Sequence, residues 1–160
     1  MEIDKRSIET LNRVLKIELT SINQYFLHAR MFGHWGLGKL NDYQYRISIR
    51  AMKDADKLIE RVFFLEGLPN LQSFGKLQIG ESPQECLEGN LKHETEVHRP
   101  LLLESIGLLE GLRDYVSRDL LEDILEHCEE TIDWLETQQQ LIQQITLQNY
   151  LQAQIGVEDS

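Results

Sequence analysis

Four stretches of this chain repeat apolar side chains every three to four residues, each over more than twenty positions, and no alternating pattern competes with them. Such long repeats confine the chain to amphipathic helices, each with a stripe that must be buried against a neighbour. The first stretch runs from about Lys5 to Phe32 and ends in GHWGLG, whose glycines break a helix. The second runs from about Asn41 to Glu66, stopped by Gly67 and Pro69. A connection too long for a tight turn follows (LPNLQSFGKLQIGES). SPQE then opens the third helix, with Ser82 as N-cap, Pro83 in the first position and Glu85 completing a capping box. It reaches about Gly111, provided that Pro100 kinks it or is absorbed in a local bulge. The fourth spans roughly Asp114 to Gln144, and TLQNYLQAQI adds a short fifth helix. Short, long and short connections predict an all-α four-helix bundle with a crossover between helices 2 and 3, as one domain over 1–160.

Composition narrows the partners. A net charge of -11 argues against nucleic acid and anionic membranes and suits the handling of cations. Cys86 and Cys128 form no dense framework, which points to a reducing compartment. MEIDKRSIETLNR has no apolar run of a signal peptide, and no stretch reaches transmembrane length, so a cytoplasmic location is expected.

Three residues disturb the pattern. Stepping 100° per residue puts Leu11, Val14, Glu18, Ile22, Tyr25, Ala29 and Phe32 on the core line of the first helix. The third helix does likewise with Leu87, Leu91, Glu94, His98 and Leu101. A carboxylate at mid-stripe is costly unless neutralised, paired or bound to metal. One alone reads as a solvated rim position, but Glu18 and Glu94, on two helices of one bundle, point to a shared polar site. The third oddity is Met52, which faces away from the stripe of Ile47, Ala51, Ala55, Leu58, Val62 and Leu65. On the residues alone it reads as a packing side chain, since methionine commonly fills gaps.

The stretches INQYFLHARMF, LNDY, FLEGLPNLQ, GKLQIGE, DYVSRD, IDWLE and LQNYLQAQI resemble the bacterioferritins, over essentially the whole length. The resemblance implies a ferritin-like bundle that assembles as a 24-subunit shell storing ferric mineral. It also implies one haem b per subunit pair, held by a methionine from each subunit, and Met52 matches that position. Helical geometry agrees independently. Met52 shares a second apolar face with Tyr45, Ile49, Ile59 and Phe63, and Leu19 and Phe26 give the first helix a comparable face. Two apolar faces per helix predict an isologous two-fold interface. The haem pocket expected there comprises Leu19, Ile22, Asn23, Phe26, Tyr45, Ile49 and Ile59.

The family's di-iron centre uses a Glu from each of two helices and Glu-x-x-His from each of the others. It maps by resemblance onto Glu18, Ala51, Asp54, Glu94, Cys128 and Thr131, the last two shifted by a one-residue insertion near Pro100. Only Glu18 and Glu94 match, so the centre is expected to be degenerate, with at most a residual metal at those two residues. His127 and Glu129 fall off the core line, His98 reads as a polar-network residue, and Arg46 and Arg50 point away from the stripe. The leading expectation is therefore a haem-bearing iron-storage subunit, itself inactive or very weak as a ferroxidase. It would co-assemble with a ferroxidase-competent subunit and receive electrons from a ferredoxin-type donor. The alternatives are an active ferroxidase with a rearranged site (Glu18, Asp54, Glu94, with His98 or Cys128) and a shell protein with neither haem nor catalysis.

Overall fold

The computed structural model describes residues 1–156; positions 157–160, the end of the expected domain, lie outside them. Helix α1 spans Lys5–His34, α2 Gly38–Phe64, α3 Pro83–Lys92, α4 Arg99–Gly111, α5 Tyr115–Ile145 and α6 Leu147–Ala153. A π-helical turn, His93–His98, joins α3 to α4 without a break. With α3 through α4 counted as one rod, this is the expected four-helix bundle with a short fifth helix, and the described residues contain no strand. No helix among them is long and apolar enough to cross a membrane.

Local chemistry sets the helix ends. Asp4 and Asp114 cap α1 and α5 by accepting the backbone N–H groups of Arg6 and Ser117, at 2.9 and 3.1 Å. Ser82 caps α3 as expected, but the Glu85 carboxylate reaches back to the N–H of Glu81 rather than that of Ser82. At the end of α2 the left-handed residue is Glu66 (φ 64°), not the glycine that follows. Gly67 donates instead to Val62 O at 2.9 Å, and a Cβ on it would meet Ile8 at 2.6 Å. Gly67 is therefore required for close packing.

The crossover is held by a row of side chains on α1. Asn12, Thr20, Gln24 and His28 accept the backbone N–H groups of Asn70, Gly75, Gln78 and Gly80, at 2.9, 2.7, 2.9 and 3.1 Å. The spacing of eight, four and four residues keeps all four on one face of α1. This row satisfies backbone donors that would otherwise lie against the bundle without partners.

Two apolar clusters fill the ends of the bundle. One gathers Leu11, Leu58, Leu102, Leu121 and Ile124, the other Phe32, Leu40, Leu87, Leu135 and Tyr150. The third rod departs from its expected stripe. Burial runs through Leu87, Asn90, His93 and Glu94 to His98, Leu102, Ser105 and Leu109, leaving Leu91 and Leu101 half-buried. A π turn is one residue wider than an α turn, so it advances the buried face by one position. Pro100 follows directly, inside the continuous rod, where the wider turn before it accommodates a ring that cannot donate an N–H.

Candidate metal centre and outward thioether face

Between the apolar clusters lies a polar layer around a cavity of about 10 Å³, large enough for one water or one ion. Glu18, Asp54, Glu94 and Cys128 reach it from α1, α2, the π turn and α5. Glu18 and Glu94 are only 1% and 2% exposed. They do not face each other bare, because His98 stands between them. Its Nε2 lies 2.5 Å from Glu18 Oε1 and its Nδ1 2.9 Å from Glu94 Oε2. With a carboxylate on each side, an imidazolium donating from both nitrogens satisfies the arrangement.

The charges are coupled. Burial opposes the charge on His98, yet the two carboxylates hold its pKa well above the usual imidazole value. Burial likewise penalises Glu94, but His98 outweighs it and keeps this carboxyl below its ordinary range. Burial prevails at Glu18, whose pKa is raised despite the same imidazole. The three groups thus share protons as a unit, with Glu18 the first carboxylate to take one.

The remaining positions are occupied by protein contacts. Ala51 contributes only a methyl group to the lining. Asp54 Oδ2 is 2.8 Å from His127 Nδ1, so His127 reaches the layer after all. It does so because its position on the edge of α5 meets the edge of α2 across their seam. Arg50 also differs from expectation. Although it starts off the stripe, its long side chain bends inward to donate to Thr131 Oγ1 at 2.5 Å and His127 O at 2.9 Å. Arg46 stays outside the layer, its guanidinium 5.8 Å from the Tyr43 ring centre. Glu129 pairs outward with Arg99 at 2.9 Å. Cys128 packs inside, its Sγ 3.9 Å from Glu94 Oε2, with burial pushing the thiol pKa up.

His93, which no break in the apolar pattern marks, also belongs to this layer. It is buried beside Glu94, with Nε2 2.7 Å from Ser21 Oγ, and burial pulls its pKa down to about 4. It continues the buried stripe of α3 through Cys86, Leu87 and Asn90, seven residues after Cys86, and the π turn then brings His98 round to the same side.

On the opposite side, α1 and α2 present an uncovered apolar face. Met52 is 50% exposed, and Phe26, Tyr45 and Phe63 are exposed around it. The rings of Phe26 and Tyr45 lie 6.5 Å apart, with the Arg30 guanidinium 5.2 and 5.0 Å from their centres. Leu19, Ile22, Ile49 and Ile59 are half-buried along this face and Asn23 is exposed. Leu19, Ile22 and Ile59 also pack inward against the first apolar cluster.

Comparison with known proteins agrees with this architecture. The family model for the ferritin-like domain matches residues 8–145. The chain is 40% identical to a bacterioferritin of Brucella melitensis over 159 residues, covering 99% of this chain and 98% of that protein. It is 39% identical to a bacterioferritin of Rhodobacter capsulatus over 150 residues, covering 94% and 92%. It is 42% identical to a bacterial ferritin of Synechocystis sp. over 151 residues, covering 91% and 94%.

Proposed function

This chain belongs to the bacterioferritin family of multi-subunit iron stores, and on that footing we propose that it is a haem-bearing storage subunit without a working di-iron centre. In this reading it contributes wall, mineral cavity and haem to a 24-subunit shell, and a sister subunit with an intact centre oxidises the ferrous iron.

One observation carries the proposal: the carboxylates of the core layer are already matched by cations of the chain itself. His98 bridges Glu18 and Glu94, and Arg50 is tied to Thr131 beside them. A pair of irons needs bridging carboxylates and a nitrogen ligand for each metal. At the matching positions this chain has Ala51, which lacks donor atoms, and Thr131, whose hydroxyl is already engaged by Arg50. Asp54 offers a short carboxylate engaged by His127. The residues present do not fit two irons.

The outward face does fit a haem. Its donor is a thioether, a soft ligand suited to haem iron, and a two-fold axis through this face would present two of them to one metal. When bound, haem b supplies one-electron transfer. Met52 would hold its iron, and Leu19, Ile22, Phe26, Ile49 and Ile59 would exclude water from the ring. Tyr45 and Asn23 offer polar groups at the margin. A ferredoxin-type protein is the electron donor in this scheme, reducing stored ferric iron for release.

A competing reading makes the chain an active ferroxidase with a rearranged site, and the convergence of Asp54, His127, Glu94 and Cys128 on one cavity speaks for it. Expressing the chain alone with haem supplied separates the two. The proposal expects a Soret band together with ferrous oxidation at the uncatalysed rate. A rapid oxidation phase abolished by Glu18→Ala and Glu94→Ala would establish the competitor.

A further inference from the structure

The π turn does more than slip the register of the third rod. Residues five apart in an α-helix lie about 140° apart around the axis, whereas a π turn brings them to one side. His93 and His98 accordingly stack, with ring centres 5.9 Å apart and planes inclined by 26°. A ring nitrogen from each and a carboxylate oxygen of Glu94 all lie within 4.8 Å of one another, and the three residues are buried. We propose that His93, Glu94 and His98 form a mononuclear site for a divalent ion of the zinc class. The inference rests on the reading that Glu94 is not committed to a pair of irons. Neither imidazole belongs to the set mapped from the family.

Three observations converge on a ligand here. His93 is 1% exposed, yet its Nδ1 has no hydrogen-bond partner. With Nε2–H donated to Ser21 Oγ at 2.7 Å, Nδ1 is left with a buried, unused lone pair. Both imidazoles also carry the support that metal-binding histidines have. Ser21 holds Nε2 of His93, and Glu18 holds Nε2 of His98 at 2.5 Å, which fixes ring orientation and leaves each Nδ1 as the donor. Finally, Glu18 and Glu94 together supply two negative charges, the match for one divalent ion.

The donor set names the class. Two imidazoles and one carboxylate suit zinc and its neighbours and disfavour calcium or magnesium, which take oxygen ligands. Cys128, with its sulfur 3.9 Å from Glu94 Oε2, stands where a fourth, softer donor would complete a tetrahedron. The metal-free state keeps the imidazolium bridge, so proton and metal are alternative occupants of one niche.

The test uses metal-free assembly of the full chain. Calorimetric titration with Zn²⁺ alone should give one tight site per chain, and Co²⁺ should give the visible bands of a low-coordinate nitrogen–oxygen site. His93→Gln, which keeps a side chain able to bond Ser21, should weaken Zn²⁺ binding roughly 100-fold, as should His98→Gln. X-ray absorption at the zinc edge of the unsubstituted protein should show two imidazoles at about 2.0–2.1 Å, independently of how the variants fold. Unchanged affinity in His93→Gln, or zinc with oxygen neighbours only, overturns this site and leaves the proposed function standing. Two bridged ions per chain overturn the proposed function itself.

Discussion

Replacing His98 with leucine isolates the energetic consequence of the core layer. The substitution keeps the volume roughly filled but leaves Glu18 and Glu94, both nearly inaccessible, without their shared cation. Two bare carboxylates cannot both stay charged there, so one must take a proton. Starting from an ordinary carboxyl pKa, that protonation costs about 3 kcal/mol at pH 6.5 and about 1 kcal/mol at pH 5. The unsubstituted protein has the opposite linkage in a different window. The folded-state pKa of His98 is raised, so its stabilisation is complete below the unfolded value near 6.5 and is lost only as pH rises beyond it. Between pH 5 and 6.5 the contribution of His98 is therefore nearly flat in the parent; the raised pKa of Glu18 weakens both proteins in the same direction there, and the variant, with no cation beside its carboxylates, weakens more. Scanning calorimetry on metal-chelated protein should find His98→Leu melting about 6–12 °C below the parent at pH 6.5 and only about 2–4 °C below at pH 5. Adding Glu18→Gln should recover most of the loss at the higher pH. A deficit equal at both pH values, or below about 1 kcal/mol at pH 6.5, would refute the bridging role.

Met52→Leu should abolish the Soret band of haem-reconstituted protein while leaving far-UV dichroism and particle size unchanged; a retained band would remove the thioether from the account. Gly80 packs so closely that a Cβ would meet Cys86 N at 2.3 Å, so Gly80→Ala should cost at least about 1–3 kcal/mol, read as a lowered denaturation midpoint. The imidazole of His28 must remain neutral, because its Nε2 accepts the N–H of Gly80 and Nδ1–H donates to Asn90 Oδ1 at 2.7 Å. Burial lowers its folded pKa, so this stabilisation is present above the unfolded value near 6.5 and is lost as pH falls below it. Limited proteolysis of the crossover should then be faster at pH 5 than at pH 7.5, with a smaller difference in His28→Gln. Equal rates in the parent protein would contradict the assignment.

The helices were legible because each carries an apolar stripe, and Glu18 and Glu94 stood out because a carboxylate breaks one. Met52 stood out for the reverse reason, as an apolar side chain off the stripe. What a regular wheel hides is anything that depends on a departure from 3.6 residues per turn or on the reach of a long side chain. The π turn moved burial from Leu101 to Leu102 and brought His98 onto the side of His93, and no 100° step foresees that. Pro100 and the one-residue insertion were the available signals, and they marked the place without giving its form. The backbone position of Arg50 does not give the position of its charge, because its guanidinium crosses to α5. The Asn12, Thr20, Gln24 and His28 row carries no sequence signal, because polar residues on one helix face resemble a solvated surface until the crossover lies over them.

In the proposed subunit the bundle interior does not accommodate two irons, and the outward face would hold a haem through Met52. Iron-edge anomalous diffraction tests it most directly, on crystals of the assembly formed by this chain alone, loaded with haem and soaked in ferrous salt under anaerobic conditions. An iron peak beside Met52 on the two-fold axis is expected, with no pair of peaks between Glu18 and Glu94. Two peaks about 3.5–4 Å apart within that core layer would contradict it.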